Sequence, residues 1–298
     1  IAKCIKWMGI PTSNPEKKSK ELRDINEAIL FAKTALQYDK NNFLASVILI
    51  ISPLWIYGDT PDFATNKLFI LRSMMFDVKK FVNKYPNSLL SKYLHTFTQR
   101  NLIYAQGGES NKNKLKKILN EELLIFDKLK NNLMFHPADG ITKQFIIESI
   151  PWMYIHIGED KKSGDFVKEN IQYICGGALD NCIDNLSLGL LFRLAKIYYT
   201  SYDYEAALDI ANMIISEKKG SWESLNYYEK LKNHLHFTSG MIYMKWGNYN
   251  KSLERFNLGL QYVKANENKV EKYNYKIDEW MTKIGFTYFY KGDYSNSS

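Results

Sequence analysis

Near its carboxyl end the chain repeats itself in register. Leu194-Ala195-Lys196-Ile197-Tyr198 leads into Tyr202-Asp203-Tyr204, Ser239-Gly240-Met241-Ile242-Tyr243 into Gly247-Asn248-Tyr249, and Ile284-Gly285-Phe286-Thr287-Tyr288 into Gly292-Asp293-Tyr294. Successive copies lie 45 residues apart, as Ala195, Gly240 and Gly285 show, and Tyr198, Tyr243 and Tyr288 keep the same spacing. A period of that length is the mark of a supersecondary unit stacked on its own copies.

The repeated residues suggest a pair of helices. A small residue at Ala195, Gly240 or Gly285 lets two helices approach, and the Tyr three residues later fills the space beside the contact. Gly247 and Gly292 suit the left-handed end of a first helix, and Asn248 or Asp293 suits the cap of the next. Tyr202 stands where that Gly is expected, so the first turn should be looser or differently bent. Second helices follow with Ala207, Ile210, Ala211 and Ile214, and with Leu253, Phe256 and Leu260, at helical spacing. The third copy reaches only Gly292-Asp293-Tyr294. Its first helix, with Trp280, Ile284, Phe286 and Phe289, should therefore be half-exposed, awaiting further chain or a partner subunit.

Upstream, the pattern predicts helices over Asp24–Asp39, where Ala28, Ala32 and Ala35 are spaced for close packing, and over about Asn42–Tyr57. Ala64–Lys84 should follow and stop before Tyr85-Pro86, because proline disfavours helix in the residue before it. Further helices are expected over Leu89–Ala105, Lys112–Leu129, Thr142–His156 and Asp165–Cys175. The turn cluster His136-Pro137-Ala138-Asp139-Gly140 is the best candidate boundary, giving divergent helical repeats over 1–136 and the clearer repeats over 141–298. The seven prolines lie far apart, so long windows stay open to helix and the fold class is all-α.

These residues resemble the tetratricopeptide repeat, in which a small residue, an aromatic three later and a Gly-x-Tyr turn recur. The period exceeds the family's usual value of about 34 residues, which implies longer helices, and the usual closing proline is missing. The resemblance implies a right-handed superhelical solenoid of antiparallel hairpins. First helices would line a concave face, with groove positions at Phe192, Lys196 and Tyr199, at Phe237, Met241 and Met244, and at Thr282, Phe286 and Phe289. Such a groove is apolar and aromatic with a cation at one end, suited to a peptide with bulky side chains. The competing reading packs these residues into the repeats' own core. Long-period relatives include cytoplasmic peptide receptors of Gram-positive bacteria and bacterial assembly factors. Phe81 to Ser88, ending in Tyr85-Pro86-Asn87-Ser88, resembles the hairpin exit of envelope lipoproteins. The partner expected is therefore a protein or peptide, and both cytoplasmic and cell-envelope sites stay open.

Chemistry is harder to find in the residues. Gly107-Gly108-Glu109 and Gly176-Gly177-Ala178 lack the spacing of a phosphate loop. Among His95, His136, His156, His234 and His236 there is no HExxH pair, and no carboxylate pair has a specific geometry. The expectation is a chain that is not an enzyme and holds no cofactor or metal. A net charge of +8 is too diffuse to name nucleic acid, and Lys112–Lys117 reads as a solvated helix face. Phe43–Tyr57 is too short and too interrupted to span a membrane. The opening Ile1-Ala2-Lys3-Cys4 only faintly resembles a lipoprotein cleavage box, since Lys3 occupies a small-residue position; the chain is read as trimmed at its start. Cys175 and Cys182 are read as buried free thiols, because seven residues span two helical turns, unless Gly176-Gly177 folds one back on the other. A homo-oligomer through the C-terminal helix is left open.

Overall fold

The computed structural model describes residues 15–57, 61–107, 111–134, 139, 142–178, 188–216, 225–265 and 277–297. Among them every regular element is helical, so the fold class is all-α. The chain divides into two compact units between Glu159 and Asp160.

The first unit contains α1 (Pro15–Tyr38), α2 (Phe43–Tyr57), α3 (Pro61–Lys84), α4 (Leu89–Ala105), α5 (Lys112–Lys130) and α6 (Thr142–His156). Each packs on its sequence neighbours. The alanine stripe of α1 meets Ala45 and Ile48 of α2, as its spacing predicts. Pro53 lies inside α2 and removes the amide that would serve the Leu49 carbonyl; the Ser52 hydroxyl donates to that carbonyl at 3.1 Å instead. Beyond α3, Tyr85 closes an aromatic triangle with Phe43 and Phe81, each pair 4.9 to 5.0 Å between centroids. Ser88 then caps α4, its oxygen accepting from the Ser91 amide.

Asp139, the one described residue of the turn cluster read as a boundary, lies inside this unit. Buried Asp139 accepts hydrogen bonds from the Ser88 hydroxyl at 2.7 Å and the Leu90 amide at 3.0 Å, tying the approach to α6 onto the start of α4. Because α6 also packs on α5 and α4, the division between the units comes later, after Glu159.

The second unit contains α7 (Asp160–Glu169), α8 (Ile171–Cys175), α9 (Leu188–Thr200), α10 (Tyr204–Ser216), α11 (Leu225–Lys245), α12 (Tyr249–Ala265) and α13 (Ile277–Lys291), followed by a 3-10 turn over Tyr294–Asn296. The single helix expected over Asp165–Cys175 is broken: buried Asn170 turns its side-chain amide onto the Phe166 carbonyl at 2.8 Å. Gly176 takes a left-handed φ of 73° and ends α8 at Cys175. Cys175 is disulfide-bonded, which corrects the free-thiol reading; the other two cysteines lie outside the described residues. The two-turn separation applies only within one helix, and the helix stops at the first cysteine.

The hairpin turns share one geometry. Gly247 donates to the Met244 carbonyl and Asn248 to that of Tyr243, and Gly292 and Asp293 repeat the pair on Phe289 and Tyr288. Tyr202 and Asp203 make the same two bonds to Tyr199 and Tyr198. Tyr202 has φ 66°, beside 72° for Gly247 and 83° for Gly292, so the turn is neither looser nor differently bent. The hydrogen bonds impose the left-handed geometry, and a Cβ there costs roughly 1 kcal/mol or more. Gly158 and Asn132 carry the same cap, with φ 81° and 56° and bonds to Ile155 and Tyr154 and to Leu129 and Lys128.

Small residues bring α11, α12 and α13 together. A Cβ on Gly240 would lie 2.6 Å from the Phe256 ring, and one on Gly259 would lie 2.1 Å from Trp280. Ser252 donates to the Gly240 carbonyl at 2.9 Å and lies 3.5 Å from the Thr287 hydroxyl. Partners later along α12 lie earlier along α13, so the two run antiparallel. Trp280, expected to be half-exposed, is fully buried against Phe237 and Phe256. The groove left by Gly259 admits its whole ring, while Phe286 and Phe289 stay 50% and 53% exposed. The final turn folds back on α13, placing the Ser297 carbonyl where a Cβ of Gly285 would be 2.8 Å away.

Candidate functional site

The groove residues expected on α9, α11 and α13 occupy two environments. Phe237 and Met241 are half-buried and pack against the core of Phe256, Val263 and Trp280, the Phe237 ring lying 5.0 Å from that of Trp280. The reading that sinks these positions into the repeat core therefore holds for this pair. The other positions reach solvent to different degrees. Phe192 is half-buried with its ring 5.8 Å from His234, Lys196 is exposed, and Tyr199 is half-buried 5.7 Å from Tyr204. Met244 accepts at sulfur from the Thr287 hydroxyl at 3.5 Å, and Thr282 turns its own hydroxyl onto the Asp278 carbonyl at 2.6 Å. Phe286 lies under the Lys283 ammonium at 5.9 Å, and Phe289 meets Tyr290 edge-on at 5.8 Å.

A second aromatic group lies at the hairpin turns and was missed in the sequence. Tyr204 opens α10; its ring is 6.3 Å from Tyr202 at 78° and 6.4 Å from Trp246 at 73°. Tyr243 stands 6.3 Å from Trp246 at 75°. Lys245 donates to the Tyr204 hydroxyl at 2.7 Å, its ammonium 4.9 Å from the Tyr204 ring centre and 5.6 Å from that of Tyr199. That hydrogen bond raises the Lys245 pKa, so the cation persists. Lys251 lies 5.5 Å over Tyr243. The signal was present: Trp246 precedes the turn glycine, and Tyr202 replaces one. Read for turn geometry alone, these residues do not reveal that two successive turns bring their rings together.

The first unit holds its charge inside. Arg100 meets Glu122 at 2.5 Å, Ser149 donates to the second carboxylate oxygen, and Glu122 is wholly buried. Burial pushes the Glu122 carboxyl upward against the pull of Arg100 and Ser149. It also pushes the Tyr93 hydroxyl up to about 12. A hollow of about 200 Å³ lies nearby between α4 and α5, with Leu89 and Ile125 on its walls and Lys92 and Lys128 at its margin. Lys112, Lys114, Lys116 and Lys117 are exposed, as a solvated face requires. Among the described residues no group of three or more His, Cys, Asp or Glu is arranged to hold a metal, and no helix is long and apolar enough to cross a membrane.

No protein-family model and no curated protein matches the chain. The crystal structure of BtubC (BKLC) from P. vanneervenii is similar to it in fold, with a TM-score of 0.53 and 12% sequence identity over 80% of this chain and 87% of that one. At that identity the likeness concerns the fold alone. The expectation that the chain is not an enzyme is corrected on this ground: a likeness to BtubC at 12% identity carries no exclusion of catalysis, because one fold hosts many functions.

Proposed function

We propose that the protein is a tetratricopeptide-like helical-repeat module that holds a polypeptide along the exposed side of its first helices. The observation that supports this most directly is the recurrence, at Tyr202, Gly247 and Gly292, of one left-handed cap with the same two hydrogen bonds. Identical turns at equal spacing give hairpins that stack with a constant rotation and present equivalent faces side by side. Fold likeness to BtubC over most of both chains is consistent with a helical-repeat architecture. The ligand-facing residues in this reading are Phe192, Lys196, Tyr199, Met244, Phe286 and Phe289, with Phe237 and Met241 backing them from the core margin.

The test is site-specific photocrosslinking in the native host. A photoreactive amino acid at Lys196, Phe286 or Phe289 should trap a polypeptide of one size, while the same group at exposed Lys264 should not. Equal labelling at all four positions, or none at the first three, refutes the reading.

A second reading, an assembly or uptake component of the cell envelope, is favoured by one observation. The disulfide at Cys175 belongs to an oxidising compartment rather than the cytosol. Alkylation of the native protein before and after reduction, combined with fractionation, distinguishes the two: free Cys175 in a cytosolic fraction removes the envelope reading.

A further inference from the structure

We propose that the aromatic edge at the hairpin turns of the second unit, built from Tyr202, Tyr204, Trp246 and Tyr243 with Lys245 and Lys251, binds a proline-rich segment in the polyproline conformation. This surface lies at the turns rather than along the first helices, and it adjoins the groove described above at Tyr199, whose ring lies 5.7 Å from that of Tyr204.

The argument begins with strain. At equivalent turns the chain uses Gly247 and Gly292, whereas Tyr202 holds the same left-handed geometry with a full side chain at φ 66°. Burial does not repay that cost, since Tyr202 is 67% exposed. Its ring meets Tyr204 edge-on, and Trp246, itself 51% exposed, meets Tyr204 in the same way. A residue that is strained, exposed and apolar is accounted for when something outside the chain uses it.

Geometry and charge then choose the ligand. The rings stand at 78° and 73° to Tyr204, so they do not form the flat platform on which a sugar ring stacks. A cationic ligand is disfavoured by charge, because the Lys245 ammonium is held at the patch by its hydrogen bond to the Tyr204 hydroxyl at 2.7 Å. A pyrrolidine ring is neutral and rigid and packs well against aromatic side chains. A polyproline helix has its backbone carbonyls solvated and open to donors, and tyrosine hydroxyls, the Trp246 indole N–H and the two lysines supply them. Asp203, between Tyr202 and Tyr204, is paired with Lys168 at 2.6 Å, so the lysines of the patch favour an acidic residue beside the prolines.

The test uses the full chain and a fluorescently labelled oligoproline peptide ending in aspartates, followed by anisotropy, with an aspartate-glycine peptide and a malto-oligosaccharide as competitors. The oligoproline should bind, and neither competitor should displace it. Tyr202→Gly and Trp246→Ala should each weaken binding about tenfold or more. Tyr202→Gly should at the same time keep or raise the melting temperature, because it restores the residue the sister turns use. Unchanged affinity in Tyr202→Gly overturns the proposal, and so does a fall in its melting temperature, which would make Tyr202 a structural residue. Displacement by the oligosaccharide, or equal binding of the glycine peptide, overturns it as well.

Discussion

The two units solve the same packing problem with different materials. In the first, the interior between α4, α5 and α6 is joined by charge: Arg100 and Ser149 converge on a carboxylate with no solvent access. In the second, α11, α12 and α13 close by shape, with Phe256 and Trp280 seated in the spaces that Gly240 and Gly259 leave. A buried ion pair depends on every partner being present, whereas a ring in a glycine groove depends on volume. The comparison teaches that repetition accompanies the second solution. Small and aromatic residues can recur every 45 positions and still fit, while a polar network is specific to one place.

Breaking that contrast should cost most in the first unit. Arg100→Met leaves Glu122 buried and unpaired and should lower unfolding free energy by about 3–5 kcal/mol, measured by urea denaturation. Adding Glu122→Leu should restore most of the loss, since an apolar pair of similar volume is often neutral. A double variant as unstable as the single one would mean that the network's value is not charge pairing. In the second unit, Gly259→Ala forces the Trp280 ring to move and should cost about 1–3 kcal/mol, with loss of near-ultraviolet tryptophan signal. A cost below that of an ordinary surface change would show that the groove has slack.

Acid sharpens the comparison further. Burial, with Arg255 and Lys232 adding to it, lowers the His236 pKa to about 4. The unfolded chain takes up this proton near pH 6.5 and the folded chain only near 4, so stability falls as pH drops through that window and is complete above it. His236 is only partly buried, so the loss should be about 2 kcal/mol at most, and it should vanish in His236→Gln. A pH profile unchanged by that substitution would place the acid sensitivity elsewhere. The smallest effect belongs to the turns: Gly247→Ala places a Cβ at φ 72° in open space and should cost about 1 kcal/mol. A larger loss would mean that the turn does more than reverse the chain.

Much of the second unit was legible because its signals are local. Gly247 and Gly292 announce their turns, Asn248 caps α12 by accepting from the Lys251 amide at 3.3 Å, and the inward face of α10 reads directly from Ala207, Ile210, Ala211 and Ile214. The turn at Gly158 is hard to recognise in the sequence because Pro151 stands where the pattern has a small residue and the register shifts by one, although Tyr154 keeps its place before the glycine. The Arg100–Glu122 pair was not legible, because 22 residues and a turn separate its members and charged residues in helices are ordinarily solvated. The aromatic edge stayed hidden for a related reason: Tyr204 and Trp246 come from successive hairpins, and nothing in either segment names the other.

The sequence alone determined that this chain is helical, where most of its helices begin and end, and that its last third repeats, because capping, proline and periodicity act within a few residues. Tertiary structure alone decided which side chains enter the core and which stay in solvent. Phe237 and Phe286 belong to the same pattern, yet one packs against Trp280 and the other is half in solvent. Burial depends on neighbours contributed by other helices, and that information is carried by the packing of the elements rather than by any one of them.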